Sequence, residues 1–198
     1  MSDEYTTISG EGDGRHTEKM SRFLSFAFPV TTADGAKDAV ASVTRRYHDA
    51  RHICWAYMLG PERQVSMSND NGEPSGTAGK PILGQINSFG LTDVVVVVVR
   101  YFGGIKLGTS GLIAAYREAA RLALEAAPKV VRHVEASMAF TFPYVSVNDV
   151  MKLIKQPGVT TDELTFDNAC SARVRIRRDD ADRLRSRLGD VDGLTFVD

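Results

Sequence analysis

The sequence predicts an α+β fold in two units, and three observations carry that prediction. Residues 94–99 are six consecutive valines, a β-branched run without polar alternation that belongs in a strand covered on both faces. Leu112, Ala115, Tyr116, Ala119, Leu122, Ala123 and Ala126 recur at helical spacing until Pro128 stops the helix. Beyond residue 135 the elements read in the order β-α-β-β-α-β, which is ferredoxin-like.

Taken in order, residues 1–18 are polar and acidic and read as a loose start. A strand is expected over 22–30, then a helix over 33–49 that places Ala36, Val40, Val43 and Tyr47 on one face. Residues 52–59 and 65–68 bracket Gly60-Pro61 as a hairpin pair. A glycine-rich loop follows, and a helix starts at Thr77 or Lys80 and runs to Asn87, with Pro81 near its first turn where a missing N–H costs least. Residues 94–101 form a central strand, and Thr109 or Ser110 caps the helix that ends before Pro128. The second unit has a strand at 136–142, a helix at 145–156 and a strand at 159–166. Asp167-Asn168 turns this strand into 169–177, and a helix at 179–188 and a strand at 194–197 complete the chain. The expected domains are 1–134 and 135–198.

Of 198 residues, 43% are hydrophobic and 25% charged, as in a globular protein that buries a core. A net charge of −1 weighs against a generally polycationic nucleic-acid binder, so any phosphate binding must be local. Two cysteines, Cys54 and Cys170, are too few for a disulfide scaffold or a four-cysteine metal site and fit a reducing cytosol. No apolar segment is long enough to cross a bilayer, so the expectation is a cytoplasmic protein that has no membrane contact.

The chemistry-bearing residues cluster in two glycine-rich loops flanking the valine strand. Gly79-Lys80 is reminiscent of a phosphate-binding loop, but Pro74 stands where that motif needs glycine and Pro81 where it needs the magnesium-binding hydroxyl. A weaker reading survives. The helices that begin just after these loops offer unpaired N–H groups to an anion, with Lys80 and Lys106 reinforcing them. Arg100 either projects toward that ligand or pairs internally with Asp70 or Glu73. Ser75 and Thr77 either contact the ligand or bond the backbone to close turns. The binding set for an anion or an RNA backbone is thus Asp70, Glu73, Ser75, Thr77, Lys80, Arg100, Lys106 and Ser110. His52 and Cys54 share a strand face, but no further ligands or partners complete a zinc site or a nucleophile, so no catalytic residue, metal or cofactor is assigned.

The segments N-D-N-G-E-P-S-G-T-A-G-K-P-I-L at 69–83 and R-Y-F-G-G-I-K-L-G-T-S-G-L at 100–112, with the valine run between them, closely resemble the signature of the IMPACT family over residues 21–127. The resemblance implies a first domain similar to domain 2 of ribosomal protein S5, a ferredoxin-like second domain as in bacterial members, and a translation-associated regulatory role. Asn71 departs from a commonly acidic position, and Ser110 and Ala114 from glycine or basic ones. These departures weaken any paired-carboxylate chemistry and the anion-binding case.

In the second unit Arg173, Arg175 and Arg177 alternate with Val174 and Ile176, so the arginines line one strand face and Arg178 extends the patch. The stripe either tracks phosphates or is ion-paired by residues such as Glu163. Ser137, Ala139 and Thr141 leave the neighbouring strand without aromatic residues on which bases could stack. The function expected first is a non-catalytic regulator that binds RNA, the ribosome or a translation factor through the loops. The alternatives are a small-molecule enzyme or anion-binding protein using the same cleft, with Glu73 or Asp70 as base, and a protein-interaction module in a starvation response.

Overall fold

The computed structural model describes residues 3–167 and 169–197. Its elements are β1 (Glu4–Ile8), β2 (Gly12–Glu18), β3 (Ser21–Pro29), α1 (Ala33–Arg46), β4 (His52–Leu59), β5 (Val65–Asn69), α2 (Gly79–Ser88), β6 (Val94–Tyr101), α3 (Gly108–Ala126) and β7 (Lys129–His133). They continue with β8 (Glu135–Phe142), a single 3₁₀ turn, α4 (Val147–Ile154), β9 (Thr160–Phe166), β10 (Cys170–Arg177), α5 (Arg178–Gly189) and β11 (Thr195–Val197). The chain divides into two compact units, Tyr5–Arg132 and residues 133–197 joined by Asp3 and Glu4.

In the first unit a five-stranded sheet runs in the order β2-β3-β6-β4-β5, with β1 and β7 paired as a separate ladder. The valine run occupies the central strand, where all six side chains are fully buried. Val94, Val96 and Val98 enter the core under α2 and α3, while Val95, Val97 and Val99 enter the one under α1. Each burial is worth about 1.5–3 kcal/mol relative to exposure, which accounts for the lack of polar alternation.

Two strands occupy the stretch expected to be loose. β2 can be polar because its glycines make the close contact with the core helix: a Cβ at Gly12 would sit 2.3 Å from the Ala123 carbonyl oxygen, so β2 presses its backbone against α3. Such contact leaves no hydrophobic signature. Residues 129–133, where the sequence pattern breaks, form β7. Neither Thr109 nor Ser110 caps α3, which starts at Gly108 with Leu107 in the capping position. Gly108 has φ +71°, and that glycine conformation turns the chain into the helix one residue before the hydroxyls.

The second unit has the order β-α-β-β-α-β and an antiparallel sheet ordered β11-β8-β10-β9, the ferredoxin-like arrangement. Met138, Phe140, Phe142, Val174 and Ile176 face α4 and α5 across its core. The turn expected at Asp167-Asn168 includes Asn168, which lies outside the described residues. Among the described residues, no helix is long and apolar enough to cross a membrane.

Candidate functional site

The loop between β5 and α2 is organised around Asp70. Its Oδ1 accepts from the Ala78 and Gly79 amides at 3.0 and 2.8 Å, and its Oδ2 accepts from the Gly76 amide at 2.8 Å. The N-terminus of α2 is therefore met by a carboxylate of the chain itself, at the end where partial positive charge favours an anion. Burial works to raise the Asp70 pKa, but the three amides and the Lys80 charge together hold it below the ordinary carboxylate value. Thr77 closes the loop by donating its hydroxyl to the Pro74 carbonyl at 2.6 Å. Asp70→Ala is expected to lower stability by about 1–2 kcal/mol in urea unfolding, as loss of a helix cap does. Because the folded pKa lies below the unfolded one, the Asp70 contribution is full above the unfolded pKa and is lost as pH falls through the folded value.

Behind this loop lies a buried polar network. Arg100 Nη1 donates to Glu73 Oε1 at 2.7 Å with side chains only 7% and 3% exposed, and the Tyr116 hydroxyl donates to the same oxygen at 2.7 Å. Arg100 Nη2 reaches Ser21 Oγ at 3.4 Å, and its guanidinium lies 5.6 and 5.7 Å from the centres of the Phe23 and Phe102 rings. Cys54 Sγ lies 2.9 Å from the Asp70 carbonyl oxygen and 3.3 Å from the Tyr116 hydroxyl, and His52 Nδ1 lies 3.0 Å from the Asn71 carbonyl oxygen. Burial pushes the Cys54 thiol up to about 12 and the Tyr116 phenol well above its usual range, so both are neutral hydrogen-bonding groups at pH 7. His52 and Cys54 thus grip the backbone of the loop side by side.

The expected binding residues separate into two groups. Asp70, Glu73, Thr77 and Arg100 are committed to the inside of the loop network. Ser75, Lys80, Lys106 and Ser110 are exposed. Of these, Lys80 lines a groove of about 440 Å³ between α2 and α3, whose other walls include Gly76, Gly84, Ser88, Ile113 and Arg117. Lys106, Ser75 and Ser110 do not line it. Arg117 escaped notice in the sequence because one arginine on the polar face of an amphipathic helix carries no local signal. Among the described residues neither Lys80 nor Arg117 has an ion-pair partner within 4.0 Å. Glycines at 76 and 84 keep the floor low enough for a backbone to approach.

The second unit's arginines face carboxylates. Arg175 is held between Asp162, at 2.7 Å, and Glu135, at 2.6 Å, on the strands either side of β10. Arg173 pairs with Glu163 at 3.5 Å and Arg178 with Asp3 at 2.6 Å, while Arg177 is exposed. The Arg175 hydrogen bond is the main cause holding the Asp162 carboxyl below its ordinary value. Among the described residues no three His, Cys, Asp or Glu side chains are grouped to hold a metal ion.

The Impact N-terminal domain model matches residues 19–124, a span that contains both loops and the network. An IMPACT family member of Thermus thermophilus, described as lying in the pol 5' region, is 40% identical over 79% of this chain and 84% of its own length. The IMPACT family members YvyE of Bacillus subtilis and YigZ of Escherichia coli are 40% and 46% identical over 59% and 50% of this chain. The chain spans about half the length of those two relatives, 54% and 49%. A crystal structure described as that of a hypothetical protein superposes with a TM-score of 0.80 at 28% identity, covering 100% of this chain and 98% of its own. With the family domain over more than half of its length and a relative 40% identical over 79% of this chain and 84% of its own, the chain belongs to the IMPACT family.

Proposed function

We propose that the protein is a non-catalytic, translation-associated regulator that binds structured RNA of the translation machinery in the groove between α2 and α3. Membership of the IMPACT family supports the translation-associated role. The observation that carries the site is the juxtaposition of Lys80 and Arg117, two exposed cations with no ion-pair partner among the described residues, across a glycine-floored groove. Point charges flanking a smooth floor suit a phosphodiester backbone, and they read shape and charge rather than base sequence. The non-catalytic part of the reading is supported by the network itself. Asp70 is a depressed carboxylate saturated by amides, Glu73 is shared between Arg100 and Tyr116, and Cys54 is protonated, so the reactive groups are spent on holding the loop.

The test is titration of the purified protein with ribosomal subunits and with a hairpin RNA at low and moderate salt. Lys80→Glu/Arg117→Glu is expected to lose binding by about two orders of magnitude at low salt, since two favourable contacts become repulsive. Binding that ignores the double substitution, or no salt-sensitive binding in the native protein, overturns the proposal.

A further inference from the structure

The opposite face of the same sheet carries a second surface. α1 packs on β4 and β6, and the corresponding face of β5 lies open: Met67 is 51% exposed and Val65 47%. Met67 stands directly across from Tyr57 in the β4–β5 register, and the Tyr57 hydroxyl lies 3.5 Å from its sulfur. The Trp55 and Tyr57 rings lie nearly parallel and stacked, with planes 4° apart and centres at 5.8 Å. Between these rings and α1 runs an apolar groove of about 420 Å³, bordered on the helix side by Val40 and Ala41.

The charged groups lining this groove, Lys37 and Arg45, are both positive. Lys37 and Arg45 stand on α1 eight residues apart, which on a helix is about 12 Å along the axis. Lys37 has only an exposed contact to Asp34 at 3.3 Å, and Arg45 has no ion-pair partner among the described residues. Contacts between fully exposed charges are easily exchanged for better ones.

We infer that this trough docks an amphipathic helix of a protein partner, with its apolar stripe on the half-buried Trp55 and the exposed Met67, over a floor made by the buried Tyr57, and carboxylates facing Lys37 and Arg45. A helix fits better than an added strand. The apolar atoms lie on the face of the sheet rather than along the free edge of β5, and the cations stand on the neighbouring helix, two turns apart, where acids on one side of a parallel helix would meet them. The partner's helix would fill the layer that α1 leaves incomplete over β4 and β5. This surface is on the other side of the sheet from α2 and α3, so its test is independent of RNA binding.

Panning a displayed library of short random peptides on the native protein, with counter-selection on Met67→Glu, tests the inference. Enriched peptides are expected to carry Leu, Ile or Phe at i, i+4 and i+7, with Asp or Glu on the adjoining face. A synthetic copy should change the fluorescence of Trp55, the chain's single tryptophan. Its binding should fall at least about tenfold in Met67→Glu and in Lys37→Glu/Arg45→Glu, the equivalent of about 1.4 kcal/mol. All three substituted side chains are exposed, so both variants are expected to keep the native circular dichroism and a cooperative melt, which shows that they fold. A consensus alternating with period two, a basic consensus, no enrichment, or binding indifferent to both variants overturns the inference. A Met67-dependent dimer of the chain itself overturns it as well.

Discussion

Glu73→Ala is expected to destabilise the protein by about 3–5 kcal/mol in urea unfolding, because it leaves the Arg100 guanidinium buried without its counter-charge. The Tyr116 hydroxyl loses its acceptor in the same step, which adds to the loss. The pair Glu73→Gln/Arg100→Met separates the two effects. Glutamine still accepts from Tyr116, and methionine fills the space between Phe23 and Phe102 without a charge to desolvate. The double variant is expected to recover most of the loss, since a buried ion pair replaced as a whole costs little. A double variant as unstable as Glu73→Ala would mean that the pair contributes net attraction rather than merely avoiding an isolated charge.

Gly12→Ala is the second large effect. The added methyl would stand 2.3 Å from the Ala123 oxygen and 2.5 Å from the Ala127 nitrogen, both backbone atoms of α3 and its cap, so β2 must move away from the helix. A loss of about 3 kcal/mol is expected, at the upper end for overpacking. Gly84→Ala is the contrast, because a Cβ there meets nothing within 4 Å and the residue sits inside α2. That variant is expected to gain about 0.5–1 kcal/mol from helix propensity and lower unfolded-state entropy. Thermal melts of the two variants side by side check both signs.

The parts of the fold legible in the sequence are those where burial dictates residue type. β6 must be apolar on both faces, and its expected bounds, 94–101, match the structure. The period of α3 reports its buried stripe of Leu112, Ala115, Tyr116, Ala119 and Ala123. β2 was illegible because the contact that holds it is made by glycine backbone, which composition reports as a loop. The start of α3 was misread because a serine or threonine signals a cap only when backbone conformation places it at one, and Gly108 begins the helix earlier. For the loops, the sequence named the charged residues but left open whether Arg100 faces a ligand or Glu73. That choice depends on distances across residues 73, 100 and 116 that no local pattern encodes. Arg175 was open in the same way, since its partners Glu135 and Asp162 come from strands 40 and 13 residues away.

The most direct measurement is the salt dependence of hairpin-RNA binding by the native protein and by Lys80→Ala, Arg117→Ala and Ser75→Ala. If Lys80 and Arg117 each neutralise a phosphate, each alanine variant lowers the slope of log K against log salt by about 1. Ser75→Ala, at an exposed hydroxyl outside the groove, leaves that slope unchanged. Equal slopes in all four proteins would contradict the assignment of the groove between α2 and α3 as the polyanion site.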